Sequence, residues 1–187
     1  MEIRLQPIGY VETDYSDEEI SEAWPHGVEG RIIIYPRFSD GLMGLEGFSH
    51  IIAVAWLHKV PEEARMTLRV RFKRLIRLGL SIVEVPEVGV FCSDSPHRPN
   101  PIALTILRLK RVNGNVLQVS GLDLYNGTPI LDLRAYTPSY SIEGYVLPDW
   151  YTGLLEKLRG MGISFEKGLH SYRIHGKHAL GIKWFSS

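Results

Sequence analysis

"ALTILRLKRVNGNVLQVSGLDLY", residues 103–125, carries the reading on which the fold turns. The segments 103–112 and 115–125 read as strands. Asn-Gly-Asn at 113–115 joins them as a tight hairpin turn, because an Asn-Gly step accepts the left-handed backbone that such a turn needs. Upstream, "EVGVF" (87–91) is a further strand candidate. Downstream, "PILDLRAY" (129–136) is another, introduced by the turn residues Asn-Gly-Thr at 126–128.

The N-terminal half repeats the pattern. "IRLQPIGYV" (3–11), "GRIIIY" (30–35) and "HIIAVAWLH" (50–58) are rich in Ile and Val and bounded by Gly, Pro and polar clusters. "DGLMGLEGF" (40–48) is punctuated by glycines and predicts a turn or a short helical turn. Short strands at even spacing predict a mainly β fold, a barrel or a sandwich rather than alternating βα units. The stretch 64–85 alternates basic and apolar residues in its first half. As a strand it would put Arg69, Arg71 and Lys73 on one face and Leu68, Val70 and Phe72 on the other.

Composition shifts after Tyr140. Residues 149–162 carry Trp150, Leu154, Leu155 and Leu158 at helical spacing, followed by glycines suited to a C-cap. Beyond them the chain reads as two or three short strands. The expected organisation is therefore a β domain over 1–140 and a C-terminal α+β extension over 141–187.

Several functional classes are set aside by composition. Twenty-one basic residues balance 21 acidic ones, so a nucleic-acid signal must come from local clustering. The single cysteine, Cys92, leaves no internal disulfide and suits a reducing, cytoplasmic setting. The most apolar stretch, 51–57, is too short to span a bilayer, and the N-terminus has no signal-peptide pattern. Neither Gly-rich nucleotide fingerprint is present, and one cysteine cannot supply a zinc site. His170, His175 and His178 read as solvated surface, so no metal is expected.

"SDSPHRPNPIA" (93–103) is a polar loop stiffened by three prolines. Ser95, Arg98 and Asn100 each precede a proline and are biased to extended geometry. Their hydroxyl, guanidinium and amide are then displayed with little entropy left to lose on binding. A stiff surface turn whose polar groups satisfy one another fits the same residues equally well.

The strings "IGYVET" (8–13), "GLMGLEGFSHIIAVAWLHK" (41–59), "GVFCSDSPHRPNPIALTILRL" (89–109) and "GLDLYNGTPILDLRAY" (121–136) occur in an order that resembles the TsaA-like (TrmO) family of S-adenosylmethionine-dependent tRNA methyltransferases. The resemblance covers roughly residues 3–140. It implies a compact β-barrel, usually a homodimer, that binds S-adenosyl-L-methionine and methylates N6 of threonylcarbamoyladenosine in the tRNA anticodon loop. It also implies donor contacts from four places: the segment around Trp24, Pro25 and His26; the pair His58 and Lys59; position 94 with Leu104; and the string Leu122, Asp123, Leu124 and Tyr125. There are departures. Asp94 stands where the family has Arg, Ala103 replaces a Gly, Arg134 a Lys and Ala135 a Pro.

Methyl transfer from a sulfonium requires in-line placement, and the accepting nitrogen must lose a proton. Asp132 and Asp123 are candidate proton acceptors, with Tyr136 and Asn100 as positioning groups. Asp132 is equally readable as a strand-end aspartate bonded to a turn amide. For RNA, residues 65–77 hold six basic side chains and no acidic one. Arg69, Arg71 and Lys73, together with Arg98, are the expected phosphate contacts. The tail adds Lys167, Arg173, Lys177 and Lys183, with Tyr172, Trp184 and Phe185 for stacking. Two readings follow: a tRNA methyltransferase, or a non-catalytic S-adenosylmethionine- or RNA-binding relative, the latter favoured by Asp94.

Overall fold

The computed structural model describes residues 2–163. Six strands close on themselves: β1 (Gly9–Glu12), β2 (Val28–Ile34), β3 (His50–Trp56), β6 (Ile102–Asn113), β7 (Val116–Leu122) and β8 (Pro129–Ala135). Their order around the barrel is β1-β2-β7-β6-β3-β8, and every neighbouring pair is antiparallel. Closure removes the unpaired edges that an open sheet of this size would expose.

Alternation along each strand sends every second side chain inward. On β3, Ile51, Ala53 and Ala55 are fully buried, and on β6 Leu107 faces Ile51 across the ladder. Each large aliphatic so enclosed contributes about 1.5–3 kcal/mol relative to exposure. Ala53 and Ala55 ladder with Thr105 and Ala103 of β6 and with Leu133 and Ile130 of β8. The hairpin expected at 113–115 joins β6 to β7, with Gly114 at φ +59°. The glycine-rich 40–48 stretch contains the end of a 3-10 helix over Pro36–Leu42 and continues in turns, in line with the turn or short helical turn expected there.

Three expectations are corrected. The strand read over 3–11 is only Gly9–Glu12, since Pro7 lacks an N–H and residues 3–6 are exposed. The basic strand over 64–85 holds for Arg69–Arg71 alone (β4), which pairs with β5 (Glu87–Gly89). Lys73 opens a short helix, α2 (Lys73–Arg77), because Phe72, Leu75 and Ile76 share a helical face that packs inward. Lys73 therefore does not continue the Arg69 and Arg71 face. An additional helix, α1 (Asp17–Glu22), stands where no element was expected. Its N-terminus is fixed by a reciprocal capping box between Ser16 and Glu19.

α3 (Asp149–Gly160) forms where the helical spacing predicts it. Its Leu154 and Leu158 join Leu75, Leu80 and Val85 in a second core, against which Trp24 and Phe72 pack. The helix thus shares its core with the 72–85 segment, across the expected boundary at 140. The strands expected after 163, the histidines 170, 175 and 178 and the basic and aromatic tail residues lie outside the described residues.

An ion pair clasps this second core. Lys157 on α3 donates to Glu84 at 2.9 Å, and Glu84 also accepts from the Ser81 hydroxyl and amide. These bonds, the Ser81 hydroxyl first and Lys157 next, lower the Glu84 carboxyl from 4.5 to about 2. A depressed carboxyl contributes stability that is present above its unfolded value and lost as pH falls through its folded one. Acid unfolding of Glu84→Gln should therefore lose pH dependence between about 4.5 and 2 relative to the parent, read by circular dichroism.

Candidate functional site

The antiparallel order gathers three connections at one rim of the barrel. β1, β3 and β7 end there, and β2, β6 and β8 begin there. Segments 13–27, 57–101 and 123–128 therefore converge, whereas 35–49 and the 114–115 turn occupy the opposite rim; the chain leaves β8 at that opposite rim, and α3 returns to pack on the 72–85 part of the first set. All four segments expected to touch the donor reach the first rim.

Local bonds stitch this rim together. The Leu57 amide donates to the Pro101 carbonyl at 2.7 Å, tying the proline loop to the end of β3. The Thr13 amide donates to the Asn126 side chain at 3.1 Å, and the Gly127 amide donates to Val11, tying the 123–128 turn to β1. The loop carrying Trp24, Pro25 and His26 lies backbone to backbone on β7. A Cβ on Gly27 would stand 2.5 Å from the Gly121 carbonyl carbon.

Lys59 is the centre of the polar cluster. It pairs with Asp17 on the first turn of α1 and lies 5.1 Å from the Tyr125 ring centroid. A cation over a tyrosine face gains about 0.5–1 kcal/mol at an exposed site. His58 beside it is held below the ordinary imidazole range, first by partial burial, then by Lys59, with Asp17 opposing. Its imidazole is thus favoured in the neutral form. Removing Asp17 by Asp17→Asn should lower the His58 midpoint further, whereas Lys59→Met should raise it, both read by an NMR pH titration.

The expected donor residues divide by what they offer. His58, Lys59, Tyr125 and the half-buried Asp123 stand at the rim. Leu122 and Leu124 are buried in the barrel core. Leu104 sits further along β6, opposite Val54, with its side chain 74 % exposed on the outer wall. Asp94 is exposed on the proline loop. In that loop the Ser93 hydroxyl donates to Val90 and accepts from the Ser95 amide, and the Arg98 amide donates to Pro96. The side chains of Asp94, Arg98 and Asn100 form no hydrogen bond or ion pair with a described residue, which fits a displayed loop better than a self-satisfied turn.

The three residues expected to act in catalysis do not meet within the chain. Asn100 stands at the first rim. Asp132 lies within β8, opposite Val54 on the outer wall, rather than at a strand end. One Asp132 oxygen accepts the Leu133 amide at 2.9 Å and the other pairs with Arg134 at 3.2 Å. Tyr136 follows the far end of β8, where its amide donates to His50 and its ring stacks on Tyr140. Seven residues of extended chain separate Pro129 from Tyr136, about 23 Å at the usual rise per residue. Of the expected RNA contacts, Arg71 is committed internally. Its guanidinium donates to the Ile82 and Val85 carbonyls and faces Glu87 at 3.7 Å.

Asp17 and Asn126 were not anticipated as rim residues. The Ser16–Glu19 spacing was the available signal for Asp17, since a capping box puts the next residue in the first helical turn. Among the described residues, no three His, Cys, Asp or Glu side chains gather in a way that could hold a metal ion. No helix among them is long and apolar enough to cross a membrane. A groove of about 230 Å³ between α3 and the 83–86 segment, lined by Val83, Trp150 and Lys157, belongs to the second core.

Fold and rim together define a small closed-barrel protein with a polar cluster on one face. The chain belongs to the family of the tRNA-methyltransferase O N-terminal domain, whose model matches residues 18–141. It is 32% identical over 159 residues to a "Probable S-adenosyl-L-methionine-binding protein" of Pyrococcus abyssi, covering 83% of this chain and 80% of that one. It is also 32% identical over 144 residues to the human tRNA (adenine(37)-N6)-methyltransferase, covering 72% of this chain and 30% of that enzyme. The crystal structure of TrmO from Pseudomonas aeruginosa superposes with a TM-score of 0.58 at 26% identity, over 78% of this chain and 61% of that chain. The matched part of this chain is thus under a third of the human enzyme.

Proposed function

We propose that the protein is an S-adenosyl-L-methionine-dependent methyltransferase that acts on N6 of threonylcarbamoyladenosine in the tRNA anticodon loop. The observation that carries this reading is the convergence at one rim of the four segments in which the family resemblance places donor contacts. S-adenosyl-L-methionine supplies an electrophilic methyl group on a sulfonium. The rim's residues suit its amino-acid portion, which is a zwitterion. The Lys59 ammonium matches a carboxylate, the Asp17 carboxylate matches an ammonium, and the Tyr125 face tolerates positive charge. These groups can stand in for the arginine that Asp94 replaces.

The acceptor nitrogen must lose its proton as the methyl arrives. Of the two carboxylates considered, Asp123 is at this rim and Asp132 is on the outer wall, engaged by Arg134. The reading therefore gives the proton to Asp123, with Asn100 as the positioning group at the same rim. The protein acts in the cytoplasm as a homodimer, with the outer face of β3 and β6 as the contact. Val54, Ile52, Leu104 and Ile106 form an outward apolar row there, and Ile106 is 44 % exposed. Sedimentation velocity reads that association.

Calorimetric titration of S-adenosyl-L-methionine into the protein tests the donor site. Binding is expected, and Lys59→Met should weaken it about 10- to 100-fold, the worth of one charge-assisted hydrogen bond. Absence of any binding heat to the parent protein, with its fold intact, contradicts the reading.

A further inference from the structure

Within the basic segment 65–77, Arg71 spends its donors inside the fold, whereas Arg65 and Arg74 rest on tryptophans with donors left over. Arg71 holds two backbone carbonyls and Glu87, and Arg69 faces the same Glu87 at 4.0 Å. These two belong to the small β4–β5 sheet. Arg65 and Arg74 are placed differently. The Arg65 guanidinium carbon lies over Trp56 at 5.2 Å from the ring centroid, and that of Arg74 over Trp24 at 5.3 Å.

Neither of them forms an ion pair with a described residue. The hydrogen bond of Arg65 is a long one, 3.4 Å to the Val60 carbonyl, and its buried Nε has none. Contact with an indole face restrains a guanidinium and strips water from one side, but leaves its in-plane N–H donors unspent. Such a group is ready for a bidentate anion.

Both tryptophans sit on the polar rim. Trp56 ends β3, two residues before His58, and Trp24 lies in the loop that packs on Gly121 of β7. Arg74 shares α2 with Lys73 and Arg77, and no acidic residue interrupts 65–77. A single small carboxylate would satisfy one of these cations. Two restrained guanidinia together with further basic groups suit a polyanion.

We propose that Arg65 and Arg74, each held on a tryptophan beside the donor rim, are the side chains that grip the RNA phosphate backbone. This assignment rests on the tRNA reading above, and it replaces Arg71, whose donors are taken up within the fold.

The test is the salt dependence of tRNA binding, measured by filter retention with tRNA carrying threonylcarbamoyladenosine. The paired variant Arg65→Gln/Arg74→Gln should bind about tenfold more weakly near 0.1 M salt. The slope of log K against log salt should shrink by roughly 1.4–1.8, since each phosphate contact contributes about 0.7–0.9. Arg71→Gln should leave the slope unchanged, since its donors are taken up within the fold, and donor affinity by calorimetry should be the same in all variants. The pair Arg65→Lys/Arg74→Lys keeps the charge, so it should retain the slope while losing affinity, and it serves if the Gln pair does not fold. A parent that binds tRNA with the Gln pair unchanged in slope and affinity overturns the assignment. So does a Gln pair that loses donor affinity and keeps its RNA slope, which would give these cations to the donor carboxylate. A parent that binds no tRNA contradicts the tRNA reading itself, and this assignment with it.

Discussion

Replacing Gly27 by alanine should lower the stability of the protein by about 4 kcal/mol, combining about 1–2 for a left-handed backbone with about 1–3 for overpacking. Gly27 sits at φ +69°, and its Cβ would lie 2.5 Å from the Gly121 carbonyl carbon and 2.7 Å from the Leu122 carbonyl oxygen. Both obstacles are backbone, so no side chain can swing aside. The two chains would have to part, separating the Trp24–His26 loop from the end of β7. Gly127 is the internal control. It has φ +78° but open space around its Cβ, so Gly127→Ala should cost only about 1–2 kcal/mol, the backbone part alone. Urea unfolding followed by circular dichroism measures both. Equal losses for the two variants would remove the close approach as the cause.

Asp123→Asn should reduce methyl transfer by about 100-fold or more, the usual scale for losing a positioned proton acceptor. The exchange preserves shape and hydrogen-bonding reach but cannot take up a proton at working pH. Asp132→Asn should have a much smaller effect on turnover, because that carboxylate already accepts the Leu133 amide and pairs with Arg134 away from the rim. Single-turnover assays at saturating donor separate the chemical step from binding. The reverse ranking, with Asp132→Asn the more damaging, would move the proton acceptor to the outer wall.

The barrel was legible because its strands carry local signals. Asn113 and Gly114 mark the hairpin, and the aliphatic runs around 51–55 and 104–109 have strand composition. The stretch 64–85 misled where two periods overlap. Leu68, Val70 and Phe72 alternate as a strand does, while Phe72, Leu75 and Ile76 repeat as a helix does, and packing against α3 lets the second pattern win after Arg71. The rim is only partly local. The proline loop announces itself, but the Lys59–Asp17 pair joins residues 42 apart, and nothing at either position specifies the other. The same is true of the arginines. Sequence shows six basic residues in a run, and only the fold tells Arg71, spent on carbonyls, from Arg74, resting on Trp24. Leu122 and Leu124, part of the same string as Asp123 and Tyr125, have their side chains buried in the barrel core, which the string alone does not show.

On the proposed function, this rim brings a methyl donor to a modified adenosine of tRNA. The most direct measurement incubates the full chain with S-adenosyl-L-methionine and tRNA containing threonylcarbamoyladenosine, followed by nucleoside mass spectrometry. The expected product is that nucleoside heavier by one methyl group, formed only when protein and donor are both present, and diminished by Asp123→Asn. Donor and tRNA that both bind, with no methylated nucleoside formed, would contradict it and leave a binding protein on the family's barrel.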